Sequence, residues 1–182
     1  MPSHRVHAEL STLAGLFYGS LADLGIFQVT SAKTVPEPYR GLLVHNQHMT
    51  VTMERFYGGP VDVRVLQAGR DGSHYMRTSL LVRPTDRRIL QFGLIRLNFD
   101  LLNQDVRREI EAQNTPLGRV LIQHGVMRDI ELISLWRVQP GNELRQWFGL
   151  GQATYGRTAI IHCDGEPAIE LLEIAAPAEP IA

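Results

Sequence analysis

The 182-residue sequence is 44% hydrophobic and 20% charged, with 16 Gly and 10 Pro, which excludes collagen-like, low-complexity and disordered chains and suits one globular domain over residues 1–182. Its 18 basic and 19 acidic residues leave a formal charge of -1, so no net field favours nucleic acid or an anionic membrane as the main partner. Cys163 is the only cysteine and Lys33 the only lysine, which argues against disulfide frameworks, Cys-rich zinc sites and lysine-based Schiff-base or P-loop chemistry, and leaves arginine as the residue for gripping anions.

Apolar residues at Val6, Leu10, Leu13, Leu16, Phe17, Leu21 and Leu24 recur near helical spacing and predict one or two helices over 6–26, with Gly15 and Gly19 against them. No signal peptide is read there and no apolar run reaches the ~18 residues that span a bilayer, so a cytoplasmic, membrane-free protein is expected. Two prolines make Thr34 to Tyr39 a connection. Leu42 to Tyr57 predicts a helix, with Asn46 as a candidate N-cap and Gly58-Gly59-Pro60 as its stop.

From Val61 the period becomes two, predicting a strand, a turn at Asp71-Gly72, a second strand over His74 to Val82, a turn over Pro84 to Arg87 and a third strand over Arg88 to Leu97. Helical cover is expected from Asp100 to Gln113 and from Leu117 to Gln123, ended by Gly125. A strand from Glu131 to Val138, an irregular Gly-containing stretch, and a hairpin pairing Arg157 to Cys163 with Ala168 to Ala175 across Asp164-Gly165 complete the chain. The tail from Pro177 is expected to fray. These elements make an α+β domain: a single antiparallel sheet of about six strands with helices mainly on one side, behind a helical N-terminal segment, residues 1–41.

Arg77 stands mid-strand, with Tyr75, Ser79 and Leu81 on its face and Met76, Thr78, Leu80 and Val82 on the other, and the pattern leaves open which face points inward. Buried, it requires an anion; on the outer face it is a solvated arginine. Glu173 and Glu170 lie on opposite faces of a strand that is apolar on both, so at least one carboxylate is expected near the core, either handling a proton or paired with an arginine. His45 and His48 are half a metal site at most and read better as cap or surface residues, so no metal is expected. Gly149-Leu-Gly151 lacks the third glycine and the helix of a dinucleotide loop. No Gly-x-Ser-x-Gly elbow is present. Thr115-Pro116-Leu117-Gly118-Arg119 reads as a helix–helix corner whose backbone N–H groups can face an anion.

Four pieces in order, Leu42-Leu43-Val44 with Met49-Thr50, Tyr75-Met76-Arg77, Thr115-Pro-Leu-Gly-Arg119 and Leu172-Glu173-Ile174-Ala-Ala-Pro177, resemble the chorismate lyase (chorismate pyruvate-lyase) family over about 42–177. The resemblance implies elimination of pyruvate from chorismate to leave 4-hydroxybenzoate, without metal or organic cofactor, in a pocket closed to water. It implies that Arg77 holds the ring carboxylate through paired hydrogen bonds and that Glu173 meets the ring oxygen at the other end. Met49, Leu117 and Gly118 would then line the pocket and its flap. Members of the family can carry a second pocket arginine on the next strand; Leu94 falls near that place, and Arg96, two residues on, is the candidate for the enolpyruvyl carboxylate.

Two other readings fit the same outline. One is a non-catalytic module binding a small aromatic or sugar acid as an effector, as related folds do in bacterial transcription factors, although no basic helix-turn-helix pattern is read before Leu42. The other is a related lyase giving a different hydroxybenzoate.

Overall fold

The computed structural model describes residues 9–149 and 151–178. Residues 9–14 are helical (α1), followed by the short α2 (Leu21–Leu24) and, directly from its end, strand β1 (Gly25–Thr30). Helices α3 (Tyr39–Leu43) and α4 (Met49–Tyr57) precede a three-stranded meander of β2 (Asp62–Asp71), β3 (His74–Arg83) and β4 (Arg88–Asn98). A 3₁₀ turn (Phe99–Leu101), α5 (Gln104–Ala112) and α6 (Leu117–Gln123) lead to β5 (Arg128–Pro140). Helix α7 (Asn142–Phe148) separates β5 from the closing hairpin, β6 (Thr154–Cys163) and β7 (Glu166–Ala175).

All seven strands form one antiparallel sheet in the order β1-β5-β6-β7-β4-β3-β2, so the expected α+β class and single sheet stand. The seventh strand, β1, lies where helix was expected to begin the chain: Ile26, Phe27, Val29 and Thr30 are β-branched or aromatic and pair with β5 instead of coiling. Residues 1–41 are therefore not a purely helical segment. The part of the expected first helix before residue 9 and the expected frayed tail from residue 179 lie outside the described residues; Ala178 is still held, its N–H donating to the Tyr39 hydroxyl at 2.7 Å.

The expected helix over 42–57 is two helices. Chain between them is pinned outside the helix by Arg157, whose guanidinium takes the carbonyls of Leu43, His45 and Gln47. Carbonyls satisfied by a side chain are released from the i→i+4 ladder, and α4 starts afresh after His48, its N-cap residue. Asn46 caps nothing. Helix α7 was hidden in the Gly-containing stretch because its apolar contribution, Leu144 with Trp147 and Phe148, is too short to show a period.

Side-chain alternation divides the sheet. Leu80, Phe92, Leu94, Leu172 and Ile174 pack under α1, α2 and α7. The opposite face is covered by the larger share of the helices. There α5 and α6 cover Tyr75, Ile95, Leu97, Ile161 and Leu171, while α3 and α4 cover Leu81, Leu90 and Leu135. The two clusters on this second face do not merge, and the candidate site lies between them. Among the described residues no helix is long and apolar enough to cross a membrane.

Candidate functional site

The site's floor follows from register. Arg77 on β3 is level with Ile95 on β4, which is level with Leu171 on β7; two residues along, Ser79, Gly93 and Glu173 make the next rung. All six side-chain positions point to the face covered by α4 and α6. With strands ~4.8 Å apart and ~3.4 Å per residue, the Cα atoms of Arg77 and Glu173 stand roughly 12 Å apart on the diagonal. The residue between them on the upper rung is Gly93. A Cβ built there would have nothing nearer than Gln91 Nε2 at 3.6 Å and Ser79 Oγ at 3.7 Å, so the absent side chain leaves room above the sheet.

The roof is built from α4 and α6, and the Thr-Pro-Leu-Gly-Arg run explains how they meet. Pro116 opens α6, and Gly118 lets it press on the start of α4, since a Cβ at 118 would lie 2.9 Å from His48 Cβ and 3.0 Å from Thr50 Oγ1. Arg119 then bonds Glu54, tying α6 to α4. Floor and roof enclose a cavity of about 50 Å³ lined by Arg77, Gly93, Glu173 and Gln91 below and by His48 to Thr50, Leu117 and Gly118 above. At ~10–15 Å³ per water centre this is room for about four waters, the bulk of one substituted benzene ring.

Arg77 and Glu173 are thus brought to one cavity, with Met49, Leu117 and Gly118 in its lining. Arg77 is 2% exposed. Burial lowers its pKa and the nearby Tyr75 hydroxyl opposes that shift; a guanidinium remains charged throughout. Its Nη1 donates to the Ile110 carbonyl over a long 3.4 Å, and its Nε finds no acceptor. Among the described residues no carboxylate lies within 4 Å of it.

Glu173 is placed differently. Its Oε2 accepts from Arg157 Nε at 2.8 Å, with the arginine side chain 1% and the glutamate 13% exposed. The carboxylate at the far end of the cavity is therefore an ion-pair partner, and Glu170 on the other face is likewise paired, with Arg96 Nε at 2.6 Å.

That pairing corrects the placement of Arg96. On β4 the residues facing the cavity are Gln91, Gly93 and Ile95, whereas Leu94 is fully buried in the opposite cluster, and Arg96 shares its face. A two-residue step keeps the face, so starting from Leu94 led to the wrong side of the sheet.

Three residues at the site were missed. His48, read as a cap or surface residue, is 7% exposed and makes no cap hydrogen bond. Burial, then the charges of Arg128 and Arg157, push its pKa down to about 4, so it is neutral at pH 7, and its Nε2 has no partner. Gln91 Oε1 is also buried without a donor. Arg157 escaped because a plain two-residue hairpin at Asp164-Gly165 sets it opposite Leu172. A bulge at Ile161/His162 shifts the register by one and sets it opposite Glu173. His45, the other half of the expected cap pair, hydrogen-bonds the Leu42 carbonyl at 2.6 Å and Thr52 Oγ1 at 3.1 Å.

No protein-family model matches the sequence, and no curated protein matches it either. Among solved structures, the chain is similar to the ligand-binding domain of a protein described as a GntR-family transcriptional regulator from Bordetella bronchiseptica, with a TM-score of 0.48 and 14% identity over 63% of this chain and 85% of that one. It is also similar to a GntR-family transcriptional regulator from Bacillus cereus, with a TM-score of 0.45 and 10% identity over 67% of this chain and 98% of that one. A third similar structure is that of YydK from Bacillus subtilis, a protein described as a possible transcriptional regulator, with a TM-score of 0.45 and 13% identity over 63% of this chain and 58% of that one.

Proposed function

We propose that this domain binds a small, single-ring carboxylic acid in the cavity between the sheet and helices α4 and α6, with Arg77 as the carboxylate's partner. The observation that carries the reading is Arg77 itself: a 2% exposed guanidinium in the cavity lining with no protein carboxylate beside it among the described residues. An uncompensated buried charge costs several kcal/mol, and a bidentate carboxylate removes that cost. His48 Nε2 and Gln91 Oε1, both buried in the same lining without partners, suit a ligand that also carries a hydroxyl. The cavity's size favours 4-hydroxybenzoate-like acids over anything bulkier.

A second reading gives this pocket a reaction, pyruvate elimination from chorismate. It is favoured by Glu173 lining the cavity diagonally from Arg77 together with the resemblance of the Thr115–Arg119 and Leu172–Pro177 runs to chorismate lyases. In that reading Arg77 orients the ring carboxylate and Glu173 meets the ring oxygen. The chain's contribution is then orientation and exclusion of water, with the Glu173 charge steadied by Arg157.

Calorimetry with 4-hydroxybenzoate tests the binding, and a lactate dehydrogenase-coupled assay with chorismate tests the reaction. Binding that Arg77→Met abolishes, without pyruvate release, assigns an effector-type module; pyruvate release assigns the lyase. Wild-type affinity in Arg77→Met rejects both.

A further inference from the structure

A second hollow, about 400 Å³, lies on the outer side of α4 and α6, where Arg55 and Ile122 meet Arg128 and Asp129 at the start of β5. His48 lines both this hollow and the inner cavity, so this residue stands at the partition between them. The partition is loosely held at its ring and firmly held at its backbone. Nε2 makes no hydrogen bond, while the chain just before it is fixed by Arg157 through the His45 and Gln47 carbonyls at 2.9 and 3.0 Å. Rotation of the imidazole leaves that frame in place.

The outer hollow carries cations that the protein does not neutralise. Arg55 and Arg128 are exposed, and among the described residues neither has a carboxylate within 4 Å, although Asp129 is in the same lining. Arg128 uses one N–H on the Val126 carbonyl at 3.2 Å. Two partly solvated arginines in a concave surface raise the local concentration of small anions and their association rate, an effect that salt screens. Arg77, inside, lies beneath the roof that His48 helps to form.

We infer that the outer hollow is an anion-binding antechamber: it gathers the small carboxylic acid against Arg55 and Arg128, and the His48 side chain swings aside to pass it to Arg77. The inference rests on the reading that the inner cavity takes such an acid.

The probe is 3-fluoro-4-hydroxybenzoate, its exchange rates read by fluorine NMR at low and high salt. Arg55→Gln/Arg128→Gln is expected to lower the association rate about 5-fold at low salt. The difference should shrink at about 0.5 M salt, with the dissociation rate unchanged. His48→Ala is expected to raise both rates, dissociation more than association because the Nε2 partner of the ligand's hydroxyl is lost with the gate; His48→Gln, which keeps a polar side chain of similar length, controls for altered packing and should exchange at near the wild-type rate. If the probe binds wild type, Arg77→Met abolishes binding and the double variant associates as fast as wild type, the antechamber is refuted and the inner site survives. Unchanged rates in His48→Ala refute the gate. If wild type fails to bind the probe, or Arg77→Met binds it equally well, the carboxylate reading falls and this inference with it.

Discussion

Two buried arginines serve the cavity in opposite circumstances, Arg77 in its lining and Arg157 outside the lining, bonded to Glu173. Arg77 and Arg157 are 2% and 1% exposed. Arg157 has a carboxylate and the carbonyls of Leu43, His45 and Gln47; Arg77 has one long bond to a carbonyl and a neighbouring hydroxyl. A buried cation whose donors are all satisfied by the chain is architecture. One that the chain leaves short of an anion, in a cavity wall, is a binding group.

The largest test of that contrast is Arg157→Met. It strands the buried Glu173 carboxylate and frees the α3–α4 loop, and should cost about 3–5 kcal/mol in urea unfolding, most of it recovered in Arg157→Met/Glu173→Leu. Arg77→Met should do the reverse: stability equal to or above wild type, because an unpaired charge is removed, but 4-hydroxybenzoate affinity at least ~100-fold weaker, about 2.7 kcal/mol, by calorimetry. A loss of stability comparable to that of Arg157→Met would erase the distinction.

Acidification probes His48 in the cavity's roof. His48 titrates at about 4 when folded, below its ordinary 6.5, so the unfolded chain takes up that proton first. Its contribution is fully present above pH 6.5 and is lost as pH falls toward 4, on the order of 2 kcal/mol. His45 shifts in the same direction through burial and the Arg157 charge. In His48→Gln the stability–pH curve should flatten in that window; an unchanged curve would mean His48 is not buried as described. The smallest effect is expected for Gly93→Val. Its methyls occupy the space between Arg77 and Glu173, and affinity should fall about 10-fold with stability nearly unchanged.

Much of this was legible from side-chain alternation and turn chemistry. The meander and the last hairpin follow from period-two patterning, from Gly72 with φ +56°, and from Asp164 and Gly165 with φ 52° and 86°. Arg77 and Glu173 were found as polar residues in apolar strands, and Leu117 and Gly118 through their motif. What alternation cannot supply is an irregularity in its own count. Bulges at Ile161/His162 and Leu132/Ser134 are invisible to it. The first concealed Arg157, and with it the reason the helix over 42–57 breaks. Arg96 failed for a related reason: nothing in the sequence near Leu94 marks which face of β4 is inward, since both are apolar.

The bulge at Ile161/His162 acts as a parity element for the closing hairpin. On its turn side, towards Asp164-Gly165, a paired lengthening or trimming of both strands changes only how far the hairpin projects. On its other side a single-residue deletion in β6 would turn over the β6 side chains that precede it, carrying Arg157 to the α7 face and leaving Glu173 facing Gly156. Paired length changes in this hairpin should therefore be tolerated where unpaired ones are not, which makes a comparison of paired and single deletions a direct readout of how the register sets the Arg157–Glu173 pair.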